Sequence, residues 1–320
     1  MNSPFHFPSL VWDHSIAIYL FLLGVSAGGS MLSVLLKRSG LAGERPDENN
    51  ILRVNALLAP ISITIGLLLL IFHLTKPWTF WYLMFNYSST SIMSVGVMLF
   101  QVYMASLILW LVIIFKSVVL GLLNRFLPKL AGLADKIICI AAKFTNVIEL
   151  VVLLTSIALG AYTGFLLSAL VSYPMLNNPV LPILFLASGT SSGIAALILF
   201  TLLCTKENTH SKSLAFLHRF ETPVVLIEAF LLFAFFFGLY LGGGQKTVAF
   251  QTALLGGFWS NVFWIGVVGI GIVLPLLLNA VAKDALKHNK IFMMLVAVLG
   301  LIGVFSLRYF VLYAGQMTLA

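Results

Sequence analysis

Eight stretches of about twenty mostly apolar residues alternate with short polar segments along the chain. A helix of that length spans the ~30 Å hydrocarbon core of a bilayer at about 1.5 Å per residue. In lipid, a single apolar segment satisfies its backbone hydrogen bonds only as a helix, which excludes strands as the spanning elements. The pattern predicts an all-α integral membrane protein with eight transmembrane helices at residues 14–36, 54–73, 91–115, 144–167, 180–204, 220–241, 261–282 and 291–314.

The composition agrees with a protein that lies mostly in lipid. Of its 320 residues 61% are hydrophobic and only 9% are charged. Soluble domains have about 45–50% apolar and about 25% charged residues. A soluble globular protein is therefore excluded.

Basic residues mark one side of the membrane. Most lysines and arginines follow the odd-numbered helices, whereas the segments after the even-numbered helices contribute only Lys76 and Lys246. Because basic segments stay in the cytoplasm, both termini are predicted to be periplasmic. The net charge of +8 then reflects topology, and we expect no nucleic-acid partner. The basic segments are residues 37–53, 116–143, 205–219 and 283–290.

Cysteine and histidine usage limits the cofactors that this protein can hold. Cys139 and Cys204 are its two cysteines, too few for the four thiolates of an iron–sulfur cluster. A b-type haem with two histidine ligands needs imidazoles at similar depth in facing helices. Only His14 and His73 reach predicted helix ends on the periplasmic side. We expect no haem, no iron–sulfur cluster and no metal in this chain.

A short internal similarity relates the first and fifth apolar stretches. An offset of 165 positions aligns residues 24–28 (GVSAG) with residues 189–193 (GTSSG). Four helices per half would make the repeat parallel, and small residues suit close helix contact in lipid. The alignment predicts two four-helix halves at residues 1–167 and 168–320. Chance similarity between two membrane helices rich in Gly and Ser is the alternative.

Few ionisable residues lie within the predicted spans, and each is a functional candidate because charge is costly in lipid. Glu149 lies on the fourth helix, Glu221 and Glu228 on the sixth, and Arg308 on the eighth. Together they form a candidate proton path. In the structural alternative, Glu221 lies at the headgroup boundary, and Arg308 reaches outward or pairs with a carboxylate for packing.

Polar and aromatic residues gather at the predicted periplasmic ends of the helices. The densest segment is HLTKPWTFWYLMFNYSSTS, residues 73–91. Aromatic residues at this depth are typical of an interfacial belt, but a belt does not require charged neighbours. Aromatic rings, hydrogen-bond donors and a base are what a flat redox headgroup requires. The candidate ligands of such a headgroup are Asp13, His14, Tyr19, His73, Lys76 and Tyr162.

The chain also resembles a known family. The segments FHFPSLVWDHSIAIYLFLLGVSAG, HLTKPWTFWYLMFNYSSTSIMSVGVMLFQVYM, GAYTGFLLSALVSYPMLNNPVLPILF and RYFVLYAGQ are similar to the NrfD/PsrC family, the membrane subunits of polysulfide-reductase-like complexes. The likeness is strongest to the branch that serves formate-dependent nitrite reduction. It covers essentially the whole chain.

This resemblance implies a haem-free quinol dehydrogenase subunit in a bacterial inner membrane. Such a subunit oxidises menaquinol, bound as substrate, near the periplasmic face during anaerobic respiration. It passes the electrons to a periplasmic ferredoxin-like subunit with four [4Fe–4S] clusters. In the nitrite branch, a periplasmic multihaem cytochrome c nitrite reductase is the final acceptor.

The resemblance also implies roles for individual residues. Tyr162 corresponds to a quinone-binding tyrosine on the fourth helix of the family. A quinone-binding histidine on the first helix of the family falls at Tyr19 here, so the resemblance leaves that role to His73 or His14.

Two other classes of protein stay open. A membrane anchor would tether a periplasmic enzyme without binding quinone. A secondary transporter would suit the repeat and the buried carboxylates, although no helix broken by Gly or Pro recurs at matching positions of the two halves.

Overall fold

The chain folds into eight long helices. A computed structural model describes residues 4–88 and 90–319, with residues 284 and 285 described by their backbone alone. All regular structure in these residues is helical, and eight helices are long and apolar enough to span a membrane. The predicted fold class is confirmed. The spans are α1 (His14–Arg38), α2 (Asn50–His73), α3 (Ile92–Ile114), α4 (Thr145–Ser168), α5 (Leu181–Cys204), α6 (Lys212–Leu241), α7 (Phe258–Val281) and α8 (Lys290–Gln316).

Two spans begin earlier than their apolar stretches. The Asn49 side chain caps α2 by accepting hydrogen bonds from the amides of Ile51 (3.0 Å) and Leu52 (3.3 Å). At α6, the Ser211 hydroxyl accepts from the Leu214 amide at 3.3 Å. Such caps satisfy amides at the helix start that have no partner within the helix. The polar first turns that follow the caps therefore remain helical.

We name the two ends of the bundle by their sequence. The terminal end carries residues 4–13 before α1, residues 317–319 after α8, and the segments between α2 and α3, between α4 and α5 and between α6 and α7. The basic end carries the segments at residues 39–49, 115–144, 205–211 and 282–289. Shorter helices lie between the spans at Pro46–Glu48, Pro77–Thr79, Phe80–Leu83, Lys116–Phe126, Pro128–Ala142, Gly244–Leu254 and Asp284–Lys287.

An ion pair joins the two helices that connect α3 to α4 at the basic end. Lys116 Nζ lies 2.7 Å from Asp135 Oδ1, and it also donates to Cys139 Sγ at 3.0 Å. The hydrogen bond and the positive charge of Lys116 hold the pKa of Asp135 below its ordinary value. Both partners are accessible to water, so the pair fixes the position of these helices more than it stabilises the fold.

The helix α7 is wider than an α-helix over half of its length. Residues Val262–Val273 form π-helical turns, in which each amide bonds to the carbonyl five residues earlier. Gly271 in this stretch packs on Gly303 of α8, where a Cβ on Gly271 would lie 2.6 Å from the Gly303 Cα. Small residues thus bring α7 and α8 into backbone contact. The apolar pattern alone did not indicate this change of helix type.

The helices α1 and α5 form the centre of the bundle. Over their apolar windows 72% and 67% of positions are buried, more than for any other span among the described residues. They meet at glycines: a Cβ on Gly24 would lie 3.2 Å from the Gly189 Cα, and a Cβ on Gly193 would lie 2.5 Å from the Gly29 amide nitrogen. The aligned glycines of the internal similarity therefore face each other.

The same packing order is found in both halves. The helix α1 packs on α2 and α4, and α3 packs on α4. Likewise α5 packs on α6 and α8, and α7 packs on α8. Contacts are sparse between α2 and α3 and between α6 and α7. A parallel repeat of residues 1–167 and 168–320 would produce this order, and the repeat itself stays a prediction.

Candidate functional site

The segment before α1 is held over the terminal end by one glutamine. The Gln316 Oε1 atom accepts hydrogen bonds from the amides of Val11 and Trp12, both at 2.9 Å, and its Nε2 donates to the Trp12 carbonyl at 3.0 Å. The Ser9 hydroxyl donates to the Gln316 carbonyl at 2.6 Å, and Tyr173 donates to the Ser9 carbonyl at 2.8 Å. These bonds fix where α1 begins.

The structure brings two predicted site residues together at this end. The Asp13 side chain caps α1 by accepting a hydrogen bond from the Ser15 amide at 2.9 Å. The same carboxylate oxygen lies 3.5 Å from Nδ1 of His73, the last residue of α2. The two side chains are 49% and 26% exposed. A carboxylate that orients an imidazole within reach of water is a suitable proton acceptor.

His14 lies in a cluster of aromatic rings. Its ring centroid lies 5.3 Å from that of Phe5, 5.8 Å from that of Tyr309 and 5.4 Å from that of Tyr313. Trp259 stacks on Tyr313 at 4.8 Å. This cluster belongs to the first turn of α1, the end of α8 and the start of α7. Tyr309 and Tyr313 were not among the residues predicted from the sequence to line the site, although both lie in the RYFVLYAGQ segment.

Two buried tyrosines pack on the same phenylalanine deeper in the first half. The Phe100 ring of α3 lies 6.3 Å from the ring of Tyr19 and 5.8 Å from the ring of Tyr162. The Tyr19 hydroxyl is fully buried, and no partner for it is found in the described part of the protein. The phenol end of Tyr162 packs against Gly96, where a larger residue would collide with it. The two phenols are close enough to interact electrostatically.

The six predicted ligands do not form a single pocket. His14 and Tyr19 are five residues apart on α1, which places their side chains about 140° apart around the helix. His14 accordingly faces α8, whereas Tyr19 faces the helices of the first half. Lys76 is exposed, and no contact joins its side chain to Asp13, His73 or Tyr162 within residues 4–88 and 90–319.

The aromatic segment between α2 and α3 is largely exposed. The side chains of Trp78 and Phe85 are 85% and 75% exposed, and Trp81 and Tyr82 are more than half exposed. Exposed apolar surface at the terminal end faces either lipid headgroups or a partner protein.

Glu149 lies at the basic end within an ion-pair cluster. It pairs with Lys37 of α1, and its second oxygen lies 3.4 Å from Arg38 Nε. The Trp110 indole also donates to Glu149 at 3.4 Å. These contacts join the ends of α1, α3 and α4. The structure thus shows a packing role for Glu149.

Hydroxyl groups line one face of α1 between Tyr19 and Lys37. Tyr19, Ser26, Ser30, Ser33 and Lys37 are spaced at helical intervals, which aligns them on one side. The Tyr103 hydroxyl of α3 lies 2.9 Å from the hydroxyls of both Ser26 and Ser30. This stripe was not predicted, although the helical spacing of its residues is visible in the sequence.

The remaining candidate charges lie in the second half. Glu221 accepts from Nδ1 of His218 at 2.8 Å near the basic end. Arg308 is completely buried and lies over the Phe185 ring at 3.8 Å, and its Nη2 donates to the Phe185 carbonyl at 3.1 Å. Its Nε and Nη1 atoms have no partner among the side chains and backbone described.

Glu228 is the nearest counter-charge of Arg308. Glu228 is 5% exposed, and it interacts with Arg308 and Ser191. No direct ion pair joins Glu228 and Arg308 among the described residues. The two unpartnered N–H groups of Arg308 and the separated carboxylate leave polar atoms that water can bridge.

No three His, Cys, Asp or Glu side chains converge on a metal position in the described ranges. The absence of metal and haem from this protein stays a prediction.

Comparison with known proteins places the chain among membrane proteins of reductase systems. A family model described as "Polysulphide reductase, NrfD" matches residues 2–320. The chain is 55% identical to "Protein NrfD homolog" of Haemophilus influenzae, over 99% of its own length and 98% of that protein. It is 50% identical to "Protein NrfD" of Escherichia coli, over 100% and 99%. It is 41% identical to a polysulfide reductase polypeptide of Wolinella succinogenes, over 96% and 95%.

Proposed function

Because the chain belongs to the NrfD family of polysulphide reductase membrane proteins, we propose that it is a haem-free quinol dehydrogenase subunit. The chain is a multi-pass protein of the bacterial inner membrane. In this role it oxidises menaquinol near the periplasmic face. The electrons pass to a periplasmic four-cluster iron–sulfur subunit and from there to a multihaem cytochrome c nitrite reductase.

The orientation follows from charge. The segments of the basic end, together with the helix ends that flank them, hold most of the lysines and arginines, so this end faces the cytoplasm. The terminal end, both termini and the Asp13–His73 pair then face the periplasm.

The observation that carries the proposal is the pair of buried phenols on α1 and α4. Tyr19 and Tyr162 both pack on Phe100, and the fully buried Tyr19 hydroxyl has no hydrogen-bond partner within the described residues. A buried hydroxyl without a partner costs about 1–3 kcal/mol. A quinol or quinone headgroup, which is flat and carries two oxygens, would satisfy both phenols and stack on an aromatic ring.

Protons and electrons leave on the same side of the membrane. Oxidation of a quinol releases two protons and two electrons. The Asp13–His73 pair lies at the terminal end with access to water, and it accepts protons and returns them to the periplasm. Electron transfer to a periplasmic partner then moves no net charge across the membrane.

The exposed aromatic segment at residues 78–85 supplies a surface for the iron–sulfur subunit. Trp78 and Phe85 are 85% and 75% exposed, and together with Trp81 and Tyr82 they form an exposed aromatic surface. Beside the N-terminal segment lies a cavity of about 340 Å³, lined by Pro4, Phe7, Trp259 and Met317 among others. A partner that docks here covers the aromatic surface and comes close to the quinol site.

The charges Glu149, Glu221, Glu228 and Arg308, of which Glu221 is only partly buried, form a proton path that is separate from quinol oxidation. Glu228 and Arg308 support this proposal most strongly, because they are buried and are not directly paired. Glu149 supports it least, because Lys37 and Arg38 already engage both of its oxygens.

Quinol oxidation by the purified complex tests the proposal. Tyr162→Phe removes one hydroxyl and keeps the ring, so quinol-dependent reduction of the iron–sulfur partner should fall roughly 5- to 150-fold, as expected for a loss of ~1–3 kcal/mol. Tyr240→Phe, at an exposed tyrosine of α6, is the matched control and should retain wild-type turnover. A quinone-site inhibitor should bind the wild type, whereas a membrane anchor without a quinone site would not bind it. Equal turnover in both variants, with the complex intact, would place the site elsewhere.

A further inference from the structure

The two helices that connect α3 to α4 start and end on the same side of the membrane. They are Lys116–Phe126, with 11 residues, and Pro128–Ala142, with 15 residues. Both are shorter than the run of about 20 residues that a membrane span needs. Since α3 leads into the first helix and α4 follows the second, both ends of this pair lie beside lipid headgroups. We call residues 116–142 the connecting hairpin.

One side of the connecting hairpin is packed against the protein. Lys116 of the first helix pairs with Asp135 of the second at 2.7 Å, and the second helix packs on both the first helix and α3. Ala131 and Ile138 of the second helix are buried. These contacts fix which side of each helix faces outward.

A second side of the connecting hairpin is apolar and uncovered. In each of its helices large apolar residues recur every three or four positions, which places them in one stripe along the helix. Each of these side chains is between 49% and 70% exposed in the described part of the protein. Water alone would not favour an exposed apolar surface of this size. The stripe residues are Val118, Leu122 and Phe126 in the first helix, and Leu130, Leu133, Ile137 and Ile140 in the second.

Basic side chains flank the apolar stripe. Lys129 and Lys136 are exposed and precede Leu133 and Ile140 by four residues, so each lies next to the stripe on the helix surface. The guanidinium of Arg125, in the first helix, lies 5.8 Å from the centre of the Phe126 ring. An apolar face bordered by lysine and arginine is typical of a helix that lies in the membrane interface.

The charge of the connecting hairpin favours an anionic surface over a second copy of this chain. Its single acidic residue, Asp135, is already paired with Lys116, which leaves Arg125, Lys129 and Lys136 without an acidic partner in this segment. Two copies that met at this face around a two-fold axis would bring these like charges together. Acidic lipid headgroups instead attract basic residues at the membrane surface.

We propose that the connecting hairpin lies in the plane of the membrane interface and binds acidic phospholipids there. Its apolar stripe enters the bilayer to the boundary between headgroups and acyl chains, about 5–10 Å deep. Arg125, Lys129 and Lys136 contact the phosphates. The hairpin thereby anchors the adjoining ends of α3 and α4. Neither the orientation of the protein nor quinol chemistry enters this proposal.

Spin labels on the full-length protein in lipid nanodiscs test the position of the hairpin. With Cys139→Ser and Cys204→Ser as the background, a nitroxide is attached at Leu133→Cys, and its access to oxygen and to a water-soluble nickel chelate is measured. Oxygen concentrates in lipid, whereas the chelate stays in water. We expect the label at residue 133 to be accessible to oxygen and protected from nickel.

Two further label sites calibrate this measurement. Leu154→Cys, at an exposed apolar position within α4, should give the same result as Leu133→Cys because it faces lipid. Asn124→Cys, at an exposed polar position, should be open to nickel. It lies two residues from Leu122, about 200° around the first helix, and so on the side away from the stripe.

The role of acidic headgroups is tested with the same label at Leu133→Cys. Insertion should be stronger in phosphatidylglycerol nanodiscs than in zwitterionic phosphatidylcholine, and high salt should reduce this difference. In phosphatidylglycerol, Lys129→Gln and Lys136→Gln should each lower the ratio of inserted to detached hairpin about fivefold, the effect of one basic residue near an acidic surface. Lys206→Gln, at an exposed lysine of the basic end outside the hairpin, should leave the ratio unchanged.

Three outcomes would overturn the proposal. Nickel access at residue 133 equal to that at residue 124 would place the stripe in water. Protection of residue 133 from both reagents would show that protein covers the stripe, either a partner or a second copy. Equal insertion in the two lipids, unchanged by Lys129→Gln and Lys136→Gln, would show that the hairpin does not bind acidic headgroups. The comparison of the two lipids needs no charge variant, so it stands even where Lys129→Gln or Lys136→Gln fails to fold.

Discussion

Gly24 of α1 and Gly189 of α5 pack against each other at the centre of the bundle, 165 positions apart in sequence. Gly28 and Gly193, one turn further along each helix, are also in contact. Because the order of contacts advances in the same direction on both helices, α1 and α5 run parallel. The chain crosses the membrane four times between the start of α1 and the start of α5, as expected if two similar four-helix halves pack in parallel.

The glycine contacts should be essential to stability. A Cβ at Gly193 would lie 2.5 Å from the backbone nitrogen of Gly29, and backbone cannot move aside as a side chain does. Gly193→Ala should therefore separate α1 from α5 and cost ~1–3 kcal/mol, seen as a lower thermal midpoint in detergent. Gly238→Ala is the matched control, because open space surrounds that helical glycine. It should be neutral or stabilise the protein by up to ~1 kcal/mol.

The number of helices and their approximate bounds could be predicted from sequence, because a span needs about twenty apolar residues and this chain provides eight such runs. The starts of α2 and α6 could not be placed from hydropathy, since the polar caps Asn49 and Ser211 extend these helices beyond their apolar parts. The π-helical stretch of α7 contains Gly271, which meets Gly303 of α8. Such a contact depends on tertiary packing, which the local pattern does not encode.

The sequence predicts how deep along the helices each candidate residue lies, but not which neighbouring helix its side chain faces. Depth along the helices placed Asp13 near His73, and the structure has them 3.5 Å apart. His14 and Tyr19 point to different sides of α1, which their five-residue spacing already indicates. The partners of His14 on α8 could not be found this way, because a single sequence does not say which helices are neighbours.

Thiol labelling should define the orientation of the protein. Cys139 and Cys204 are exposed and lie at the basic end, so in intact cells a reagent that does not cross the inner membrane should leave both unmodified. In a variant without these cysteines, Lys246→Cys at the terminal end should react readily. Disruption of the membrane provides the control, because both native thiols should then react. Labelling of Cys139 in intact cells would reverse the orientation.

The Asp13–His73 pair should act as one unit in proton release. Asp13→Asn keeps the helix cap, since asparagine caps as well as aspartate, but it removes the charge beside the imidazole. We expect Asp13→Asn and His73→Ala each to slow quinol turnover, and the double variant to be no slower than the slower single variant, because residues acting as a unit are not additive. His6→Ala, at an exposed histidine of the N-terminal segment, is the control. Additive losses would indicate separate roles.

Glu149 should matter for stability more than for turnover. Glu149→Gln leaves Lys37 and Arg38 without their counter-charge, and the cost should reach at most ~3 kcal/mol, because these long side chains lie at the basic end and can reach water. Adding Lys37→Gln should restore much of the lost thermal stability. Quinol turnover should stay close to that of the wild type in both variants.

The same two variants test Glu149 as part of a proton path. If Glu149 carries protons, charge movement in reconstituted vesicles should be lost in Glu149→Gln and should not return in the double variant, although its stability does. Recovery of charge movement together with stability would leave Glu149 with a packing role alone.

Glu228 and Arg308 should be dispensable for quinol oxidation yet necessary for any charge movement. Both residues are buried in the second half, on α6 and α8, whereas the phenols of the proposed quinol site lie on α1 and α4. The guanidinium has two nitrogen atoms without a partner in the described residues, and water between it and Glu228 would provide a route for protons.

In vesicles without an opposing proton gradient, Glu228→Gln should therefore turn over quinol at close to the wild-type rate while any charge movement is reduced. Glu48→Gln, at an exposed carboxylate paired with Arg45, should change neither. Arg308→Lys keeps the charge without the guanidinium shape and should retain part of the movement, whereas Arg308→Gln should not. If Glu228→Gln abolishes turnover in detergent while the helical fold survives, the quinol site extends into the second half and its assignment to Tyr19 and Tyr162 is wrong.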